Sequence, residues 1–132
     1  MKKKIFAILT IIGLLTMSMT VMAQTVSFNI TMGGSSPDPI SKRAEKNPYD
    51  QDNYFYVTGY SSSDSSTLII AKSKHLYKPN QYYTPYGTMI IVGATQSAAY
   101  NTTVPHGELY YMEGEYLNGY GPRVQLTGAY TP

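Results

Sequence analysis

The chain has 132 residues, 14 of them tyrosine and none cysteine or tryptophan, with a formal charge of +2. Without cysteine, neither a disulfide framework nor a thioether-linked lipid is available, so the fold is held by its core alone. The length admits one small domain, able to bury roughly 60 to 70% of its unfolded surface, and leaves no room for a second.

Residues 1–23 read as a signal peptide. Lys2, Lys3 and Lys4 give a basic start, an apolar run follows from Ile5 to Leu15, and Val21-Met22-Ala23 forms a cleavage site, so the single domain spans 24–132 and begins at Gln24. Ile5 to Ala23 also has the length of a membrane span. Thr10, Gly13, Thr16, Ser18 and Thr20 dilute it, however, and no basic stop-transfer cluster follows. The leader has a bacterial character, and the C-terminal Thr127 to Pro132 carries no anchor signal. A secreted protein is expected, touching the membrane only through its signal peptide before cleavage. Loss of three lysines leaves seven basic against eight acidic residues, about −1. That balance excludes the concentrated positive face a nucleic-acid partner demands.

Beyond the leader the apolar period is two. Val26, Phe28 and Ile30 alternate with Ser27, Asn29 and Thr31, giving a half-buried strand that ends at the turn-rich Gly33 to Pro39. Ile40 to Asp52 is polar and mixed in charge, a surface loop or one helical turn. Tyr54 to Tyr60 is a second strand, dense in aromatic and β-branched residues, and Thr67 to Ala71 a third. The short Ser/Asp connector between them reads as a hairpin loop. Met89 to Val92 is the most apolar run of the mature chain, which predicts a mid-sheet strand with Ile90 facing the interior. Ala98 to Val104 is a further strand, and Leu109 to Leu117 is expected to pair with Val124 to Tyr130 across Asn118 to Pro122. Six or seven short strands and no helix predict an all-β, antiparallel β-sandwich of immunoglobulin-like type, with a small β-barrel as the alternative.

Tyrosine is the compositional anomaly. Tyr54, Tyr56 and Tyr60 include rings sharing one strand face by parity, where tyrosine covers sheet surface while its hydroxyl stays wet. The segment from Tyr77 to Tyr86 is different: it carries Tyr77, Tyr82, Tyr83 and Tyr86 on a backbone stiffened by Pro79 and Pro85. Rigid amphipathic rings give contact area at little entropic cost, so these four tyrosines are the candidate binding surface.

Catalytic patterns are sparse. His75 and His106 read as solvated or locally hydrogen-bonded residues, and no Gly-x-Ser-x-Gly elbow is present. Glu113 and Glu115 share a strand face near Glu108, yet adjacent same-face acids more often form a solvated edge than a glycosidase pair. Asp50, Asp52 and Asn53 have the spacing that opens a calcium loop, without its glycine and closing glutamate. No metal and no cofactor are expected. Lys72, Lys74, His75 and Lys78 oppose the acidic segment Glu108 to Glu115 in sign, a distribution sufficient for solubility.

The leader, Val26-Ser27-Phe28-Asn29-Ile30, the tyrosine-rich Tyr54 to Tyr60 and the close Val124-Gln125-Leu126-Thr127-Gly128-Ala129-Tyr130-Thr131-Pro132 resemble a family of small secreted Gram-positive proteins of unknown function, sometimes encoded near bacteriocin-type export systems. The resemblance implies a role in competition or self-protection and transfers no catalytic residue. At Tyr130 this chain departs from the tryptophan expected there. The residues point to a non-enzymatic binding protein whose partner is a cell-envelope polymer or another protein. A bacteriocin-like or toxin-like antimicrobial factor and a small cell-wall hydrolase are the alternatives. Protein recovered from culture medium is expected to begin at Gln24, which intact-mass measurement checks; a species retaining Met1, or one confined to membranes, overturns the leader assignment.

Overall fold

The computed structural model describes residues 24–49 and 51–132; the leader and Asp50 lie outside the described residues. Eight strands follow in chain order: β1 (Val26–Met32), β2 (Ala44–Glu45), β3 (Tyr54–Ser62), β4 (Ile69–His75), β5 (Thr88–Met89), β6 (Thr95–Ala99), β7 (Leu109–Tyr116) and β8 (Val124–Thr131). They form two four-stranded sheets, β1-β8-β3-β6 and β2-β7-β4-β5, with every strand pair antiparallel. The fold is a β-sandwich, not closed into a barrel.

Alternation decides what each strand buries. β1 turns Phe28, Ile30 and Met32 inward, β3 turns Phe55 and Val57, and β8 turns Val124, Leu126 and Tyr130. From the second sheet come Ile69 and Ala71 of β4 and Tyr110 and Met112 of β7. β8 sits between β1 and β3, with Val26 opposite Tyr130 on one side and Val57 opposite the same Tyr130 on the other. Gly128 permits this central position. A Cβ there would lie 2.1 Å from the Thr58 carbonyl oxygen and 2.4 Å from the Phe28 ring, so any side chain would drive β8 away from β3.

Several expectations are corrected by the pairing. The second and third predicted strands are not a hairpin: β3 lies in one sheet and β4 in the other, and residues 63–68 cross between them. Asp64 shapes that crossing by accepting from the Ser66 amide and hydroxyl and the Thr67 hydroxyl at 2.6–2.8 Å. These bonds, the Ser66 hydroxyl first, hold its carboxyl down to about 2. β7 and β8 likewise sit in opposite sheets and do not pair. β8 instead pairs with β1, from the far end of the described chain, a non-local match that no local turn signal encodes.

The Met89 to Val92 run is not mid-sheet. β5 is only two residues long and forms the edge of its sheet, while Met89, Ile91 and Val92 are exposed and Ile90 is half-buried against the core. Gly87 explains the displacement. It takes φ +63°, and a Cβ there would meet the Ala71 carbonyl at 2.3 Å, so the chain reaches β4 through a tight left-handed turn and has room for little ladder beyond it. The Ala98 to Val104 strand is shifted as well, to Thr95–Ala99, with Tyr100 and Val104 buried beyond its end. Ile40 to Asp52 contains β2, and His75 is fully buried rather than at the surface.

A polar contact inside the core joins the two sheets. Ser73 Oγ lies 2.7 Å from the hydroxyls of both Tyr100 and Tyr130, joining β4 of one sheet to β8 of the other. Among the described residues no buried side-chain nitrogen or oxygen lacks a partner. Burial pushes the phenols of Tyr100 and Tyr130 well above their ordinary value of 10.0.

Two outcomes are expected. Ile30→Ala, at a fully buried position, should cost about 2 to 5 kcal/mol in denaturant titration, and Ile90→Ala at its half-buried edge clearly less, about 1 to 2 kcal/mol. Equal losses would return Ile90 to the interior. The buried tyrosines favour the neutral phenol when folded, so their stabilisation is complete below pH 10.0 and declines as pH rises above it, where the unfolded chain ionises first. Thermal midpoints measured across that range should fall, and Tyr130→Phe should flatten the fall.

Candidate functional site

The sequence places Tyr77, Tyr82, Tyr83 and Tyr86 together, and the structure shows how their loop is held. Beyond β4 the chain turns at Lys78, whose carbonyl accepts the amides of Gln81 and Tyr82 at 3.0 and 3.1 Å, and then runs back along the edge of β4. The His75 amide donates to the Tyr82 carbonyl at 2.9 Å and the Thr84 amide to the Ser73 carbonyl at 3.0 Å. Thr84 Oγ1, fully buried, accepts the Ser73 amide at 2.9 Å. Pro79 and Pro85 flank the returning segment and fix its backbone torsions.

On its other side the loop is clasped by Asn101. The Asn101 amide donates to the Tyr83 carbonyl at 2.8 Å, its side-chain Nδ2 to the Gln81 carbonyl at 3.1 Å, and its Oδ1 accepts the Tyr83 amide at 3.2 Å. The returning segment is therefore hydrogen-bonded along both flanks, to β4 on one and to Asn101 on the other.

His75 ties down the base. Its Nδ1 accepts the amides of Tyr77 and Lys78 at 3.1 and 3.0 Å, which fixes the proton on Nε2, and Nε2–H donates to the Glu108 carboxylate. The imidazole is enclosed by aromatic rings, edge-on to Tyr110 at 5.0 Å between centroids and tilted against Tyr82 at 5.6 Å. A buried histidine bonded at both nitrogens, one to a loop amide pair and one to a carboxylate, acts here as a bracket.

The four tyrosines fall into different environments. Tyr77 and Tyr86 project into solvent, 74% and 88% exposed. Tyr82 is half-buried against the core, with Lys78 Nζ 5.9 Å from its ring centroid and its hydroxyl accepting from Gln81 Nε2 at 2.9 Å. Tyr83 lines an open groove of about 370 Å³ between the loop and the outer face of β4 and β7, together with Lys72, Lys74, Asn80, Pro85 and Glu115.

Ion pairs build the floor of that groove. In the β4–β7 register Lys72 faces Glu113 and Lys74 faces Tyr111, but the charges pair diagonally: Lys72 with Glu115 at 2.5 Å, and Lys74 with Glu113. Burial opposes the charge on Lys74; the hydrogen bond and attraction of Glu113, helped by Tyr111 and Glu115, outweigh it and raise the ammonium above its ordinary value. The basic and acidic segments noted in the sequence thus neutralise each other within one molecule. Parity would have found this wall, because Lys72 and Lys74 alternate with Ala71, Ser73 and His75 as Glu113 and Glu115 alternate with Met112 and Gly114.

The other sequence candidates lie elsewhere. His106 lines a separate hollow with Pro48, Tyr49 and Asn53. Asp52 accepts from the Tyr56 hydroxyl, Asn53 bonds the Thr102 carbonyl and the Val104 amide, and Asp50 is outside the described residues. Among the described residues no three His, Asp or Glu side chains gather to hold a metal ion. Sequence reading also missed Lys46, whose side chain is fully buried and donates from Nζ to the Tyr54 carbonyl at 3.0 Å, 5.4 Å from the Tyr100 ring centroid.

A scan against protein-family models, a search of curated proteins and a search of solved structures returned no match to this chain.

Proposed function

We propose that the protein is a secreted, non-enzymatic binding module whose Tyr77 to Tyr86 loop and adjoining groove engage a partner at the bacterial cell surface, either an envelope polymer or another protein. One observation carries this reading: the loop is immobilised on both flanks, by β4 and by Asn101, while the rings of Tyr77 and Tyr86 are left in water. A connector needs no such clasp. Association is opposed by the entropy of ordering side chains and loops, and a loop ordered before contact avoids most of that cost. Tyrosine suits the task, since it offers a large amphipathic surface with two side-chain torsions.

The groove supports the same reading. Its charges are already paired, so a ligand meets a polar floor without a net field. Recognition then rests on ring contacts and hydrogen bonds to Asn80 and Tyr83 at the rim. The signal-peptide pattern read in residues 1–23 supports a partner outside the cell.

Tyr77→Ser combined with Tyr86→Ser should leave the thermal midpoint within a few degrees, as surface changes usually lie within about ±0.5 kcal/mol each. Retention on whole Gram-positive cells or purified peptidoglycan should drop. Asn101→Ala should also weaken retention, by loosening the clasp, with both rings still present. Tyr82→Ser, by contrast, should destabilise the fold. If the double variant is folded and retained like the parent, this loop is not the recognition surface.

A further inference from the structure

The outer face of the β1-β8-β3-β6 sheet differs in kind from that of its partner. Every outward strand position there is Ser, Thr, Asn, Gln, Ala or Tyr; none is ionisable as an acid or base near neutral pH, whereas the opposite sheet displays Lys72, Lys74, Glu113 and Glu115. We propose that this face is a second binding surface, separate from the tyrosine loop, and that its ligand is an uncharged polysaccharide chain.

Hydroxyl pairs organise the face. Thr58 and Thr95 meet across β3 and β6, Ser61 and Thr127 across β3 and β8, and Thr25 and Thr131 beside β1, each pair at 2.7 Å between oxygens. One hydroxyl of each pair donates to the other, which leaves the second O–H and several lone pairs directed to solvent. Pairing fixes the rotamers, so the outward donors and acceptors stand in rows at the sheet's own spacing. A ligand rich in hydroxyls, which also donate and accept, matches rows of this kind in either direction.

Rings supply the remaining contact. Tyr54 and Tyr56 stand two residues apart on β3, roughly 6.8 Å along the strand, and Tyr60 follows as the extra residue of the bulge between Gly59 and Ser61. Tyr56 is steadied by its hydroxyl bond to Asp52 at the corner of the sheet. Tyr54 to Tyr60 covers about 20 Å of strand, a length suited to an extended polymer rather than to one sugar. A pyranose turns C–H groups out from its ring faces and hydroxyls from its edge, so it can stack on phenol rings while its edge meets the Ser and Thr rows.

Other chemistries fit less well. An anionic or cationic chain would be desolvated here with no counter-charge among the strand positions. A purely apolar surface would strand the hydroxyl rows without partners. Neutrality and hydroxyl density together select the glycan.

Affinity electrophoresis of the mature protein through gels containing hydroxyethyl cellulose, galactomannan or dextran tests the proposal, with polygalacturonate as the charged comparison. Migration should be retarded by at least one of the neutral polymers and not by polygalacturonate. Tyr54→Ala with Tyr56→Ala should weaken that retardation at least tenfold. Thr58→Val with Thr95→Val keeps shape and volume but removes a hydroxyl pair, and should weaken it severalfold even if the tyrosine variant fails to fold. Tyr77→Ser with Tyr86→Ser should leave it unchanged, so failure of the loop reading and failure of this one are distinguishable. No retardation by any neutral polymer overturns the proposal, as does equal retardation by polygalacturonate. Self-association in sedimentation that disappears in the Thr58→Val, Thr95→Val variant would also overturn it, by making the face a contact between copies of this chain.

Discussion

The two sheets are pinned together at Ser73. Its hydroxyl, fully buried in β4, meets the phenols of Tyr130 in β8 and Tyr100 beyond β6, so one small side chain ties three segments across the sandwich. Apolar packing sets which faces meet but is tolerant of sliding; a buried hydrogen bond is not, because a displaced hydroxyl is left without a partner in a medium that penalises it. A one-residue slip of β8 would turn Tyr130 outward and leave Ser73 with Tyr100 as its remaining phenol partner. In a chain without cysteine, this pin takes over part of the registering role a disulfide often has.

The pin also governs the surface. Ser73 donates its amide to Thr84 and accepts the Thr84 amide at its carbonyl, so the residue that links the sheets also seats the returning loop. His75, two positions on and facing the same way, brackets the loop's base through Tyr77 and Lys78. Between them Lys74 faces outward to Glu113 and forms the groove floor. Three consecutive residues of β4 therefore serve core, wall and core in turn. That alternation is how a rigid interior transmits order to a solvent-exposed loop.

Much of this was legible in the sequence as parity. Val26 to Ile30, Tyr54 to Tyr60 and Val124 to Tyr130 announce their inner and outer faces, and with them the sandwich and the outward tyrosines of β3. Pairing was not legible, since alternation says which side chains turn inward and not which strand lies beside them; β1 with β8 is decided by the assembled core. The Met89 to Val92 run misleads because hydrophobicity signals contact in general, whereas Gly87 and the short β5 leave those residues at an edge. His75 and Lys46 escaped for a related reason. Polar side chains are read as surface unless their partners are known, and their partners, Glu108 and the Tyr54 carbonyl, come from distant positions.

Tyrosine dominates this chain because one side chain satisfies three separate demands. Inside, Tyr100 and Tyr130 fill volume as phenylalanine would, yet their hydroxyls complete the Ser73 pin; a tryptophan at 130 has a donor but no acceptor to offer there. At the boundary, Tyr82 and Tyr116 bury their rings while their hydroxyls bond Gln81 and the Pro122 carbonyl. Outside, Tyr77, Tyr86 and Tyr60 present apolar faces that water tolerates because each ends in a hydroxyl. A domain that lacks disulfides needs core contacts with direction, and a domain that exposes large rings needs ones that stay soluble. The residue that meets the first need meets the second, so the high tyrosine content follows from stability and surface chemistry together.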